Sequence, residues 1–448
     1  LHTAYRRQRQ MCIRDRLATL SLAFVLGACG ASKDAPADEN KDSSDVGGKL
    51  TVQVEEDWLP HYEEAANRVK EKYPNADIEF KTVGAFDHLD ILDSTDATNE
   101  DVADLFAIPA DRLYVLHGND VLGAIDSQKL QEEIGGWDNF DEGIGGNFNI
   151  DGEYFAFPYN IESLVTYVNT ANAADKGIDI EKPIEINDVE DPETVLFPFF
   201  DAWYGVAATN TSGIEFLGQK EDGTLFTDMT KDWDELEPEK QATIKGLFDY
   251  WKRHYDASTP LFDNDAGWAY VDDKFKTGNG GVARLGGPWD AAPISEQAGA
   301  DNLKVYPVSH LTLDGKEFAH WQGGWGLAIN SRIEEDNDKV AIANEMIKEI
   351  VNPEYAVDLF KSTGKILENV DAETYKDSDL PDEDKEIISA TIESYNNSPA
   401  RPLFKEWGDV WDTYENAILS WNSVAPKDEE EAYNELKASF ESMMANFN

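Results

Sequence analysis

The chain has 448 residues, with 38 Lys and Arg against 89 Asp and Glu, a formal net charge of −51. That charge repels nucleic acid and anionic membrane surfaces and excludes both as ligands. A content of 41% hydrophobic and 11% aromatic residues excludes a disordered acidic chain.

The first residue is Leu, which reads as either a fragment or an over-extended reading frame, and residues 1–10, with Arg6, Arg7 and Arg9 and no apolar partner, are left out of the fold reading. From Met11 the pattern is that of a secretion signal. Arg14 and Arg16 precede the apolar run Leu17–Ala28, which is shorter than the roughly 20 residues a membrane span needs. Residues 1–28 are therefore read as a signal peptide. It ends in Leu26-Gly27-Ala28-Cys29, where small residues admit a peptidase and the thiol of Cys29 accepts a diacylglycerol. The alternative is an ordinary cleaved signal with an incidental cysteine. Residues 29–48 are small and polar with no apolar period, and read as a flexible linker on that lipid anchor. Apart from Cys29 the other cysteine is Cys12, so a chain processed at Cys29 has no disulfide and relies on its core.

From Lys49 onward the chain is too long for one compact core and implies two lobes. Lys49–Val54 alternates as a half-buried strand, and Leu59–Tyr73 has helical spacing between two prolines. Asp77–Val83 alternates again, and Val102–Ile108 is a short apolar run. Strand and helix in alternation predict an α/β sheet with crossover helices. Asn149–Pro158 reads as a hairpin around Asp151-Gly152, and Leu164–Val168 as a strand. Gln241–His254, Lys339–Ile350 and Glu429–Met444 are amphipathic helices.

Five stretches then carry a resemblance: Asp104-Leu105-Phe106-Ala107-Ile108-Pro109-Ala110-Asp111-Arg112; Gly152-Glu153-Tyr154-Phe155-Ala156-Phe157-Pro158; Phe275-Lys276-Thr277-Gly278 with Gly286-Gly287-Pro288-Trp289; Gly323-Gly324-Trp325-Gly326-Leu327-Ala328-Ile329; and Arg401-Pro402 with Trp407 and Trp411. In this order they resemble extracellular solute-binding proteins of sugar ABC transporters, of the maltose/maltodextrin-binding type. The resemblance runs from about Lys49 to the C-terminus and is weak between about 170 and 240 and between 365 and 398.

The chemistry of these residues suits a sugar. A pyranose presents an apolar face and a rim of hydroxyls, so its sites combine flat aromatic rings with carboxylates, amides and Arg. The resemblance implies that Trp289 and Trp411 stack on glucosyl rings and that Asp111, Arg112 and Glu162 hold hydroxyls. Trp407 is a further candidate platform. For each tryptophan the alternative is core packing; for Asp111-Arg112 it is a surface ion pair. The sequence departs from the family in places. Ile108 stands where an aromatic ring is often offered, and Glu55, Asp57 and Trp58 stand where polar and basic contacts are usual, so Trp58 is a candidate replacement platform. Phe199 and Trp203, with Phe200 and Tyr204, fall where the family places another stacking ring.

Enzymatic signatures are missing. The seven His form no His-Glu-x-x-His, and no nucleophile elbow or phosphate loop occurs. Asp263-Asn264-Asp265-Ala266-Gly267 lacks the Gly position and terminal Glu of a calcium loop and reads as a surface turn. No metal or cofactor is expected.

The resemblance implies an α/β, two-lobed periplasmic-binding-protein-like fold with three hinge crossings and an interlobe ligand cleft. Residues 49–158 plus 310–366 are expected in the N-terminal lobe, and 163–305 plus 370–448 in the C-terminal lobe. The crossings are expected near Tyr159–Glu162, Val305–Ser309 and Gly364–Glu368. The implied protein is a monomer that catalyses nothing. It is held to the membrane by its lipid anchor alone, catches a maltodextrin-like oligosaccharide and passes it to the permease subunits of an ABC importer. A binding protein for another sugar or polyol, a secreted glycoside hydrolase and a surface adhesion module remain open.

Overall fold

A computed structural model describes residues 45–447 with the exception of 138 and 221. The signal peptide, Cys29 and most of the linker lie outside the described residues. The described chain forms two lobes, each built on its own sheet and its own apolar core.

The first sheet runs Asn75–Thr82, Gly47–Val54, Leu105–Pro109, Gly323–Asn330, Leu122–Gly123, with Phe157–Glu162 also paired to Gly323–Asn330. The first three strands are parallel, joined through the helices Leu59–Lys72 and Ala85–Ser94, as alternating strand and helix patterns require. Gly323–Asn330 enters antiparallel and is buried along its whole length. The strand Gly47–Val54 already includes Gly47 and Gly48, paired to Asn75 and Ala76. The ordered sheet thus begins inside the stretch read as linker.

The second sheet runs Val195–Leu196, Ala283–Gly286, Val165–Asn169, Leu303–Pro307. The helices Pro238–Asp256, Gly408–Val424 and Glu429–Ala445 contribute to the same second core, with Trp251 and Trp421 fully buried 5.7 Å apart. Asp151 and Gly152 both have positive φ in the tight turn between Asn149–Ile150 and Glu153–Tyr154, the conformation that makes Asp-Gly a hairpin turn. Phe157-Pro158, read as part of that hairpin, belongs to the first sheet instead. At Asp263 the carboxylate accepts the backbone N–H groups of Asp265 and Ala266, a surface turn opening the helix Gly267–Phe275.

The chain passes between the cores three times. The first passage follows Glu162, since Ile161 packs in the first core and Leu164 in the second. The second falls between Trp321 and Trp325 rather than at 305–309. Leu311–Leu313 pairs in parallel with Ile184–Glu185 of the second lobe, which keeps residues 310–321 there rather than with the N-terminal lobe. The third follows Leu380 rather than 364–368: Ile366 bridges Ile161, and Val370, Tyr375 and Leu380 are buried in the first core, so residues 370–380 belong there and not with the C-terminal lobe. It is carried by the helix Asp382–Asn396, with Ile388 and Tyr395 in the first core and Ile387 and Ala390 in the second.

Candidate functional site

A cavity of about 740 Å³ lies between the lobes and takes its walls from both, a size within the ordinary range of ligand pockets. On the first-lobe side the strand Leu105–Pro109 ends at Pro109, and a single 3-10 turn, Ala110–Arg112, presents Asp111 and Arg112. Glu162 closes the strand Phe157–Glu162 and pairs with Gly323 beside the passage between lobes. Trp58 packs at 6.1 Å from the rings of both Tyr62 and Tyr159.

The second-lobe side is a wall of indoles. Trp203 lies in the first turn of the helix Ala202–Thr209, capped by Asp201. Trp407 and Trp411 are one helical turn apart and meet edge to face at 4.6 Å. Trp289 is 47% exposed, and its pose explains the Gly-Gly-Pro-Trp motif. A Cβ at Gly287 would lie 2.2 Å from the Trp289 ring, so any side chain there would displace the indole. The Gly287 carbonyl is held by the buried Tyr167 hydroxyl at 2.8 Å.

The charges in the cavity are set against low-dielectric walls. Arg401 Nη2 lies 2.8 Å from Asp111 Oδ2, while Asp111 Oδ1 is buried and makes no hydrogen bond. The Arg401 guanidinium also faces the rings of Trp203, Trp321 and Trp411 at 5.0–5.8 Å. Burial raises the Glu162 carboxyl above its usual range, opposed by Lys365, Arg401 and the Trp325 indole. Burial lowers the Lys365 ammonium, opposed by Glu162 and Glu55. Neutral hydroxyls can donate to such carboxylates and accept from such cations without adding charge. Among the described residues no group of His, Cys, Asp and Glu is placed to hold a metal ion.

The cavity therefore brings together Trp58, Asp111, Arg112, Glu162, Trp203, Trp289, Trp407 and Trp411 from the sequence reading. Arg112 is also half-exposed and 3.3 Å from Asp93, so the surface pair weighed for it is present too. Trp407 lines the cavity with only 5% exposure and packs in the second core. Two residues are placed elsewhere. Asp57 is exposed and does not line the cavity. Phe199 is fully buried against Phe197, Tyr250, Phe262 and Trp421, its backbone turned inward by the Phe199 N–H to Phe197 carbonyl bond. Phe200 and Tyr204 are buried likewise.

Sequence reasoning missed Phe86 and Lys365, and treated Arg401 as a landmark rather than a wall of the site; all three line the cavity. Lys365 had one local signal. It follows Gly364, whose φ of 68° ends the helix Ala356–Thr363 in the left-handed conformation that glycine favours.

A family model for bacterial extracellular solute-binding proteins matches residues 64–381. A maltooligosaccharide ABC transporter solute-binding lipoprotein of Streptococcus pneumoniae R6 is 28% identical over 419 residues, covering 90% of each chain. Among solved structures, the maltose-binding protein MalE of Listeria monocytogenes, in complex with maltose, superposes with a TM-score of 0.67 at 20% identity, over 89% of this chain and 99% of that one. MalX of S. pneumoniae, in complex with maltopentaose, gives 0.64 at 21% identity, over 88% and 99%. These structural likenesses establish the two-lobed fold.

Proposed function

Since the chain belongs to the bacterial extracellular solute-binding protein family, we propose that it binds maltooligosaccharides between its lobes and delivers them to the permease of an ABC importer. The observation that carries this reading is one cavity in which the indoles of Trp203, Trp289 and Trp411 stand opposite Asp111 and Glu162 of the other lobe. Indole faces suit the apolar faces of glucosyl rings, and carboxylates suit their hydroxyls. The 28% identical relative named for maltooligosaccharide transport supports the same sugar class.

The ligand touches both lobes at once only when they are closed, so its differential affinity for the closed form drives closure. In this reading the protein is a monomer that performs no catalysis, and Cys29 is lipidated to tether it outside the cell. No helix among the described residues is long and apolar enough to cross a membrane.

The test is thermal unfolding against a sugar panel, followed by small-angle scattering. Maltotriose at about 100 times its dissociation constant stabilises by about 2.7 kcal/mol, and saturation reduces the radius of gyration. A shift with unrelated sugars but none with maltooligosaccharides overturns the assignment. Release of reducing sugar from a bound oligosaccharide would favour a glycoside hydrolase instead.

A further inference from the structure

Two side chains of the first lobe, Phe86 and Lys365, stand at the cavity around Trp325. Phe86, at the start of the helix Ala85–Ser94, is 61% exposed. It touches the Trp325 ring edge to face at 5.2 Å and leaves the rest of its ring to the cavity. An aromatic ring so exposed contributes little to a core. Of the large hydrophobic side chains exposed among the described residues, Phe86 and Trp289 alone line this cavity, and they come from opposite lobes.

Lys365 is the second. Its ammonium lies 4.7 Å from the Trp58 ring centroid, 5.1 Å from Tyr159 and 5.2 Å from Trp325. Among the described residues it forms no hydrogen bond and no ion pair, so its donors remain available on the cavity side. Its backbone is fixed at both ends. The Lys365 N–H donates to Thr363 Oγ1 at 3.1 Å, and the Ile366 carbonyl accepts from Ile161 at 2.9 Å. The three rings hold the cation by its charge and limit where it can reach.

We propose that Phe86 and Lys365, gathered around Trp325, form a sugar subsite of the first lobe: the Phe86 ring packs on the apolar face of a glucosyl unit and the Lys365 ammonium donates to its hydroxyls. The inference rests on the maltooligosaccharide reading above. The surrounding charge selects a neutral ligand. An anionic group would meet Glu55 and Glu162, and a cationic one would meet Lys365, whereas hydroxyls serve all three. The subsite gives the first lobe an aromatic grip of its own opposite Trp289, and so makes Phe86 and Lys365 determinants of specificity.

The experiment is calorimetric titration of the full chain with maltotriose and maltopentaose, alongside unliganded melting temperatures, for F86A, F86Y and K365M. F86A and K365M are each expected to weaken binding of at least one of the two sugars by about tenfold or more. F86Y keeps the ring and should bind as the parent does. The melting temperature should stay close to the parent for F86A and should fall for K365M, which takes a compensating charge from the buried Glu162, so K365M is judged on affinity in the folded protein. Parent-like affinity in both F86A and K365M overturns the subsite while leaving the maltooligosaccharide reading intact. A parent protein that binds neither sugar overturns both. If K365M fails to fold, the comparison of F86A with F86Y still decides.

Discussion

Arg401 Nη2 and Asp111 Oδ2 lie 2.8 Å apart and join the two lobes across the cavity floor. Arg401 packs on the second-lobe indoles Trp203 and Trp411, whereas Asp111 sits on the turn that ends a first-lobe strand. The side chain of Arg401 is 7% exposed and that of Asp111 26%, so the pair is screened far less than a surface bridge. A double-mutant cycle with D111A and R401M should therefore give a coupling of about 0.5–3 kcal/mol in urea unfolding. D111A should also weaken sugar binding, because it removes the unpartnered Asp111 Oδ1. Strict additivity of the two single variants would show that the bridge contributes nothing.

Trp289 and Trp407 line the same cavity but differ in burial, 47% against 5% exposed. Their truncations should fail in different ways. W289A should lose more than tenfold in sugar affinity, the scale of a hot-spot truncation of about 2 kcal/mol, with little change in unliganded melting. W407A should cost about 3–5 kcal/mol of folding stability, because its ring packs against Trp321 at 5.0 Å and Trp411 at 4.6 Å. Affinity and melting measured on the same samples separate the two. Equal losses of stability in both variants would contradict the assignment.

The parts of this architecture that were legible in the sequence are those written in local pattern. Alternation marked the strand at Lys49–Val54, and spacing marked the helices that begin at Leu59 and Asn337. The turn Gly287-Pro288 exposes Trp289 by local geometry alone, and Trp289 was correspondingly visible. Lys365 and Arg401 were not, because neither role exists until the topology closes. Lys365 meets Trp58 and Tyr159 from the far end of the chain, and Arg401 meets Asp111 in the same way. Phe199 and Trp203 are separated by one turn of chain and looked alike in sequence. Only the inward turn at Phe197–Phe199 sends the former to the core and leaves the latter on the cavity wall. The crossing expected at 305–309 failed for a similar reason, since the pairing of Leu311–Leu313 with Ile184–Glu185 has no local signature.

The lipid anchor is tested apart from the fold. Cys29→Ser should abolish incorporation of labelled fatty acid and release the protein from the membrane fraction, without altering sugar affinity in the processed chain. A variant that stays membrane-bound with unchanged label and mass would rule out lipidation at Cys29.

Acid stability should report the histidine beneath the cavity wall. His320 is fully buried, with its ring 4.3 Å from Trp203 and Nε2 2.8 Å from the Trp203 carbonyl. Its Nδ1 is buried and makes no hydrogen bond. Burial pushes its pKa from 6.5 down to about 3, and the nearby Arg401 charge acts in the same sense, against the backbone of Trp203 and Trp321. A depressed histidine pKa stabilises the fold fully above 6.5, and that stability is lost as the pH falls from 6.5 toward about 3. Within that window the unfolded chain holds one more proton at this site, a slope of about 1.4 kcal/mol per pH unit. His88, lowered to about 4, and His254, lowered to about 3, act in the same direction. Protonation of the many carboxylates relieves repulsion and opposes all three, so the total slope is not diagnostic and the difference between variants is. H320Q keeps a donor for the Trp203 carbonyl but cannot titrate. Its urea-unfolding free energy should fall less steeply than that of the parent between pH 6 and 4, by about 1.4 kcal/mol per pH unit. Parallel slopes in the two proteins would show that His320 is protonated as readily in the folded chain as in the unfolded one.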